Sequence, residues 1–424
     1  MVSRWLSIYS AVAFDFTMCQ KKYDEVEVVV FLTEKAKELN WLDCYKDRRD
    51  SNGNVQSEFN TGLQSSFNKL DPQISLKEVP ISAAQDETAN WELFDKILQE
   101  LHENDTIYFD MTHGFRSIPF VSFIVLNYAR FLKNINLGGL LYGIKNDDTT
   151  GSIINFTEMM NLLDWAEGVN QYLRTGNAEI INAQVNKEKA EILKTAQPSK
   201  GEGIMLGKMG HVAERMNSLN DAFETVRGEA VFSEIDRLLQ VTSEIEAIDS
   251  DYLRALIPLI EKVKEKLAAY SSNEAEKIKF VVNWCIEHGL IQQGYTFLLE
   301  YVISAFCDYV AYDKMDLKWR KVVSETIGHL ARKRPESRWR GSQDHIKNCI
   351  TFKAKITQFD VYFPIYHELN HIRNDLNHAG AKKDAFSSKI ILDKLSVLSE
   401  KLYPLIDTLY ENMKQEGKNW VNNC

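Results

Sequence analysis

The chain has 424 residues, 44% of them hydrophobic and 11% aromatic, which is enough apolar material for two or three packed domains and excludes a disordered chain. Its 50 lysines and arginines against 60 aspartates and glutamates leave a formal charge of −10, which argues against nonspecific coating of nucleic acid by the whole surface but not against a local basic groove. There is no apolar run of the roughly 18 residues a membrane span needs, Met1 to Phe16 makes a poor signal peptide, and Cys19, Cys44, Cys285, Cys307, Cys349 and Cys424 form no Cys-x-x-Cys pair; we therefore expect a cytoplasmic protein without disulfide framework or thiolate zinc site.

From Glu25 to about Phe156, short β-branched runs alternate with amphipathic helices. Val26 to Leu32 is almost continuously apolar, as a strand covered on both faces requires. Leu76 to Ile81 is a poorer strand, and Pro80 within it predicts an edge position. Trp91, Phe94, Ile97, Leu98 and Leu101 recur at helical spacing, Asn104 and Asp105 make a turn, and Thr106 to Met111 reads as a strand. Strand, helix and strand in that order imply parallel pairing. A helix from Ser117 to Phe131 and two strands, Leu140 to Ile144 and Ser152 to Phe156, complete a predicted doubly wound α/β sheet.

The segment Asp110 to Ser117 lies at the carboxyl end of a predicted strand, where ligands bind in such sheets. Gly114 lets the backbone approach a ligand, Thr112 and Ser117 offer hydroxyls, Arg116 offers a phosphate fork, and the following helix adds its positive dipole end. A phosphate or nucleotide site is one reading. In the other, Asp110 and His113 cap the helix and Arg116 pairs with an acidic neighbour. There is no Gly-x-Gly-x-x-Gly and no Walker lysine, so neither NAD nor ATP hydrolysis is supported.

Beyond Glu158 the alternation stops, and helices are predicted over Glu179 to Thr195, Val212 to Ala247, Tyr252 to Ala269, Glu276 to His288 and Ile390 to Met413. Gln197 to Gly203 reads as a linker, and Gly289 and Gly294 punctuate a helix-turn-helix. Between Lys318 and Arg340, eight lysines and arginines interleave with Trp319 and Trp339 against only Glu325 and Glu336. That composition suits single-stranded RNA, through phosphate attraction and base stacking, and equally a solvated basic helix with buried tryptophans.

Leu369, Ile372, Leu376 and Ala379 then predict the buried stripe of a helix that carries Arg373, Asn374 and His378. A guanidinium to grip a phosphodiester, an imidazole to move protons and an amide to orient the ligand would make a metal-free RNA cleavage site. The plain alternative is a solvated helix face. Overlapping it, His367, Glu368 and His371 spell the His-Glu-x-x-His pattern of zinc peptidases, although Asn374 and Asn377 occupy the glycine and third-histidine positions of the extended form.

Two of these motifs together carry a resemblance. Asp110 to Ser117 resembles the Asp-x-Thr-His-Gly-Phe-Arg signature of CRISPR-associated Rossmann-fold (CARF) proteins, Arg373 to His378 matches the HEPN ribonuclease pattern, and Glu287 to Tyr295 is similar to an upstream HEPN helix. The resemblance implies a Rossmann-like CARF domain over 1–157, a helical connector over 158–230 and a HEPN domain over 231–424. It further implies an ancillary effector of type III CRISPR immunity: a homodimer that needs no cofactor, is activated by a cyclic oligoadenylate and cleaves single-stranded RNA. Thr112, His113, Gly114, Phe115 and Arg116 would contact the messenger, and Arg373, Asn374 and His378 would form the nuclease site. The family opens with a strand and a glycine-containing ligand loop; this chain has no glycine before Gly53, and Tyr9 and Ser10 stand nearest to that loop. Ring-nuclease activity in the CARF part and a noncatalytic sensor both stay open.

Overall fold

An apolar strand without a polar face has to be covered on both sides, and this requirement organises the first part of the chain. Its strands are β1 (Val2–Ser7), β2 (Glu25–Leu32), β3 (Cys44–Arg49), β4 (Val55–Asn60), β5 (Ser75–Pro80), β6 (Thr106–Asp110), β7 (Asn136–Lys145) and β8 (Gly151–Asn155). The computed structural model describes residues 2–7, 25–49, 55–70, 75–84, 86–112, 117–145, 151–194, 200–244, 251–381 and 383–421. They fall into two compact units, Met1–Asn161 and Leu162–Cys424.

Six strands form one sheet in the order β5-β2-β1-β6-β7-β8, parallel except for the antiparallel β8, while β3 and β4 pair antiparallel by themselves. Counted along the chain, the large sheet reads 3-2-1-4-5-6, the order of doubly wound sheets. Val29 and Phe31 of β2 face a core shared with α2 (Glu87–Glu100) and α3 (Ser117–Lys133), which contribute Leu93, Ile97, Val125 and Leu126. Val28, Val30 and Leu32 point the other way, toward Trp41 and the partly buried Leu63 and Phe67 of α1 (Leu63–Leu70). Pro80 does sit on an edge strand, because β5 ends the sheet. Glu78 of β5 organises that margin: it accepts from Trp41 Nε1 at 2.7 Å and pairs with Lys37, whose hydrogen bond holds the carboxyl below its ordinary pKa.

Three elements differ from the sequence reading. β1 occupies the middle of the sheet although the opening residues carry no glycine-loop signature. β7 begins at Asn136, four residues earlier than expected, because Gly138 and Gly139 make room for the Tyr108 ring: a Cβ would lie 2.7 and 2.8 Å from it. The third is the expected helix over Val212 to Ala247, which is really two.

These are α6 (Lys200–Glu224) and α7 (Gly228–Ser243), broken where Val226 takes φ +56° and Gly228 abuts Tyr301. Lys200 to Gly203 of the expected linker belong to α6, and 197–199 lie outside the described residues. Together with α4 (Thr157–Thr175) and α5 (Glu179–Lys194), these helices share one core with the rest of the second unit. Phe223 of α6 stacks on Trp284 at 5.6 Å, and Phe232 of α7 stacks on Tyr301 at 5.5 Å.

The remaining helices are α8 (Asp251–Leu267), α9 (Glu274–Glu287), α10 (Ile291–Tyr309), α11 (Leu317–Ala331), α12 (Gln343–Ile356), α13 (Phe363–Asn377) and α14 (Ser388–Val421). α10 is the hub, with eleven buried residues and contacts to α9, α11, α13 and α14. A helix apolar on nearly every side belongs in the centre of a bundle. Gly289, at φ +69°, makes the turn between α9 and α10, whereas Gly294 lies inside α10. A Cβ at Gly294 would stand 2.7 Å from Leu395 Cδ2 and 3.1 Å from Cys285 Cβ. Gly294→Ala is therefore expected to destabilise the helical unit by about 1–3 kcal/mol. Gly207→Ala, on α6 with nothing within 4 Å, should instead stabilise it by about 0.5–1 kcal/mol. Thermal melts of the two variants test the opposite signs.

Candidate functional sites

At the carboxyl end of the sheet, Ser7 of β1 and Asp110 of β6 are register partners. Beyond this pair the chain turns toward β2 on one side and β7 on the other, which is the switch point where doubly wound sheets hold ligands. The predicted segments thus leave from neighbouring strand ends: Tyr9 and Ser10 follow Ser7, and His113, Gly114, Phe115 and Arg116 follow Thr112. Those six residues lie outside the described residues.

Thr112 is described, and its hydroxyl is already engaged. It donates to the Asp110 carboxylate and accepts from the Gly143 N–H at 2.7 Å, while the Thr112 N–H donates to Asp110 Oδ1 at 2.9 Å. Thr112 is therefore a peg joining β6 to β7, and one lone pair is left for a ligand. After β8 the same device recurs, with Thr157 bonded to Asn155 and accepting from the Leu140 N–H at 2.9 Å.

In the helical unit, α13 buries Phe363, Tyr366, Leu369, Ile372 and Asp375 against α10 and α11. The stripe expected to continue through Leu376 and Ala379 runs instead to Asp375; Leu376 is only partly buried and Ala379 is exposed. Asp375, 2% exposed, accepts the Phe386 N–H through Oδ2 at 2.9 Å and so ties the chain beyond the helix back onto it. This was the residue sequence reasoning missed. Its spacing of three from Ile372 was the available signal, but a carboxylate in an apolar row reads as a solvent-facing break.

Arg373 is half-buried. Its Nη2 makes one long hydrogen bond, 3.4 Å, to Asn370 Oδ1, and its buried Nε meets no acceptor among the described residues. Asn374 and His378 are exposed on the same helix end. His378 is the C-cap, its N–H bonded to the Asn374 carbonyl at 3.1 Å, and Ala379 and Gly380 follow at φ +52° and +68°. Helical rise separates Arg373 from His378 by about 7–8 Å along the axis. Five residues also turn through about 500°, so the two side chains leave the axis roughly 140° apart, the guanidinium half-buried and the imidazole exposed.

The overlapping zinc motif has different surroundings. The His367 and His371 rings lie 6.5 Å apart, Glu368 pairs with Lys394, and His371 meets the edge of Phe386. Among the described residues no three histidine, cysteine, aspartate or glutamate side chains gather as a ligand set.

The tryptophans of the basic segment serve packing. Trp319 stacks on Tyr312 at 4.1 Å and carries the Lys318 ammonium over its ring, and Trp339, 6% exposed, stacks on His329 and donates Nε1–H to the Arg334 carbonyl at 3.0 Å. Arg320 is bound to Ser304, Lys314 and Glu300. Of the two readings of this segment, Trp339 fits that of a buried tryptophan, since burial leaves it no accessible ring face for a base.

No protein-family model matches the chain. It is similar to the CRISPR-associated protein MJ1674 of Methanocaldococcus jannaschii, 22% identical over 340 residues that cover 79% of this chain and 47% of that protein. The chain thus spans about half the length of this curated relative.

Asp375→Ala should lower the melting temperature by several degrees, as loss of a buried hydrogen-bonded carboxylate does, and loosen the segment after His378; a thermal melt and amide exchange at Phe386 read both effects. Acid should also destabilise the helical unit. Burial lowers the pKa of His288, and burial reinforced by Arg334 and Arg332 lowers that of His329. The unfolded chain takes up these protons near the ordinary histidine value of about 6.5 and the folded one resists, so stability falls as pH drops below that value. Melting temperatures between pH 7.5 and 5.5 should show the decline, and His329→Gln should flatten it.

Proposed function

We propose that the protein acts in CRISPR defence as a single-strand endoribonuclease switched on by a cyclic oligoadenylate, with the nuclease chemistry at Arg373, Asn374 and His378. Similarity to a CRISPR-associated protein supports the defence role. The ribonuclease reading rests on one observation above the rest: the buried Nε of Arg373 meets no acceptor among the described residues, and an exposed histidine caps the end of the same helix. A polar group withdrawn from water without a partner is destabilising, and an anion seated there would satisfy it. The bidentate geometry of phosphate oxygens suits a guanidinium fork.

In this mechanism the imidazole of His378 takes the proton of the RNA 2′-hydroxyl as its oxygen attacks the adjacent phosphorus. Arg373 stabilises the negative charge growing on the two nonbridging oxygens, and Asn374 orients the phosphate. The bond from phosphorus to the 5′ oxygen breaks, that oxygen takes a proton from water, His378 returns its proton to the solvent, and the products carry a 2′,3′-cyclic phosphate and a 5′-hydroxyl. The nucleophile belongs to the substrate, so the reaction requires no metal ion.

The messenger would bind at the sheet end defined by Ser7, Asp110 and Thr112, through His113, Gly114, Phe115 and Arg116, with Tyr9 and Ser10 across the switch point. A cyclic, symmetric ligand fits a two-fold dimer. The stripe of exposed Phe120, Ile124, Tyr128 and Phe131 along α3, the last 91% exposed, supports a homodimer because so large an apolar row is disfavoured in water.

With fluorescent single-stranded RNA, EDTA and tetra- or hexa-adenylate rings supplied separately, one ring should stimulate cleavage. His378→Ala and Arg373→Ala should each reduce it at least 100-fold, as loss of a proton-transfer or charge-stabilising group does, and Arg116→Ala should remove the stimulation. Full cleavage by His378→Ala, or its loss on adding EDTA, would rule the mechanism out.

A further inference from the structure

Arg332, Lys333, Arg334, Arg338 and Arg340 place five cations within the nine residues after α11, in a chain of formal charge −10. The one carboxylate among those nine, Glu336, is neutralised by Lys353 of α12 at 2.6 Å. No carboxylate among the described residues pairs with Arg334, Arg338 or Arg340, all of which are exposed. By contrast, Arg320, at the other end of the same basic segment, is held by Ser304 and Glu300 of α10 and by the Lys314 carbonyl.

The backbone beneath these side chains is held firmly. The Arg334 N–H returns to the His329 carbonyl at 2.9 Å, the Glu336–Arg338 turn closes on Pro335, and the buried Trp339 ring clamps both flanks by its stack on His329 and its bond to the Arg334 carbonyl. Around that post lies an open depression of about 670 Å³ lined by Arg334, Ser337, Arg338, Trp339 and Arg340. Its lining is cationic with no acid. Three exposed guanidinium groups around one depression give a local positive field that attracts a polyanion able to span them.

We propose that this depression grips the phosphodiester backbone of single-stranded RNA, as an anchoring surface additional to Arg373 and His378. The choice of RNA over another polyanion rests on the ribonuclease reading. Because Trp339 offers no free ring face, the contact reads charge rather than bases. Binding there is therefore indifferent to base sequence and strongly dependent on salt.

The test is fluorescence anisotropy of a labelled oligouridine with full-length His378→Ala protein in EDTA, over a range of KCl concentrations. Losing three phosphate contacts reduces the slope of log affinity against log salt by roughly 2 and weakens binding about 100-fold at 0.1 M salt. That is the result expected for the triple variant Arg334→Gln, Arg338→Gln, Arg340→Gln, with melting unchanged, and the matching lysine triple should retain most of the affinity. A control triple, Lys262→Gln, Lys389→Gln and Lys401→Gln, removes equal charge elsewhere and should change little. An unchanged slope in the arginine triple, an equal loss in the control, or poly-glutamate binding as tightly as RNA each overturns the proposal. In an otherwise unaltered background the arginine triple should raise KM for RNA and spare kcat. A wild-type protein that binds RNA through these arginines without cleaving it would refute the nuclease mechanism and leave the anchoring surface standing.

Discussion

A guanidinium half-withdrawn from water with one donor unsatisfied is tolerated only if its surroundings hold it there, and in this protein that support comes from α10. The hub helix is apolar on almost every side, so α13 can lay Tyr366, Leu369 and Ile372 against it and α11. Each of these fully buried side chains contributes roughly 1.5–3 kcal/mol of burial. The Tyr366 hydroxyl adds a bond to Ser324 of α11 at 3.2 Å. Arg373 follows Ile372 directly, so the packing that fixes one fixes the other. The helix then ends under Asp375 and Gly380, which set the position of His378.

The sheet of the first unit obeys a comparable logic. Covering both faces of β2 calls for helical elements above and below, and the strand order reverses between β1 and β6, the position where doubly wound sheets hold ligands. Next to that position Thr112 joins Asp110 to Gly143. A hydroxyl that looks like a ligand contact in the sequence is in the fold first a fastening.

Charge is distributed with similar economy. Arg320 is absorbed into helix packing and Lys321 lies 3.8 Å from Glu325, whereas Arg334, Arg338 and Arg340 in the turn after α11 face solvent with no carboxylate partner among the described residues. The position of a counter-charge therefore decides whether a basic residue acts as structural glue or as a surface for anions.

Much of the architecture was legible in the chain. The continuous run Val26 to Leu32, Pro80 at an edge, the alternation up to Phe156 and the helical spacing beyond it are local patterns, and periodicity reports them directly. The stretch carrying Arg373, Asn374 and His378 was legible as a helix for the same reason. Other features depended on residues distant in sequence. Gly138 and Gly139 belong to a strand because of the Tyr108 ring, the break at Val226 to Gly228 answers to Tyr301, and Asp375 is buried because Phe386 presents an N–H to it. Trp339 faces inward because His329 stacks on it, and Thr112 is a peg because Gly143 lies beside it. The sequence by itself determined which segments become strands and helices and which side chains are candidates for chemistry, since backbone preference and amphipathic period are properties of neighbours along the chain. Only the tertiary structure decided which of those side chains are satisfied by a partner and which remain unsatisfied, because that depends on groups brought together across the fold.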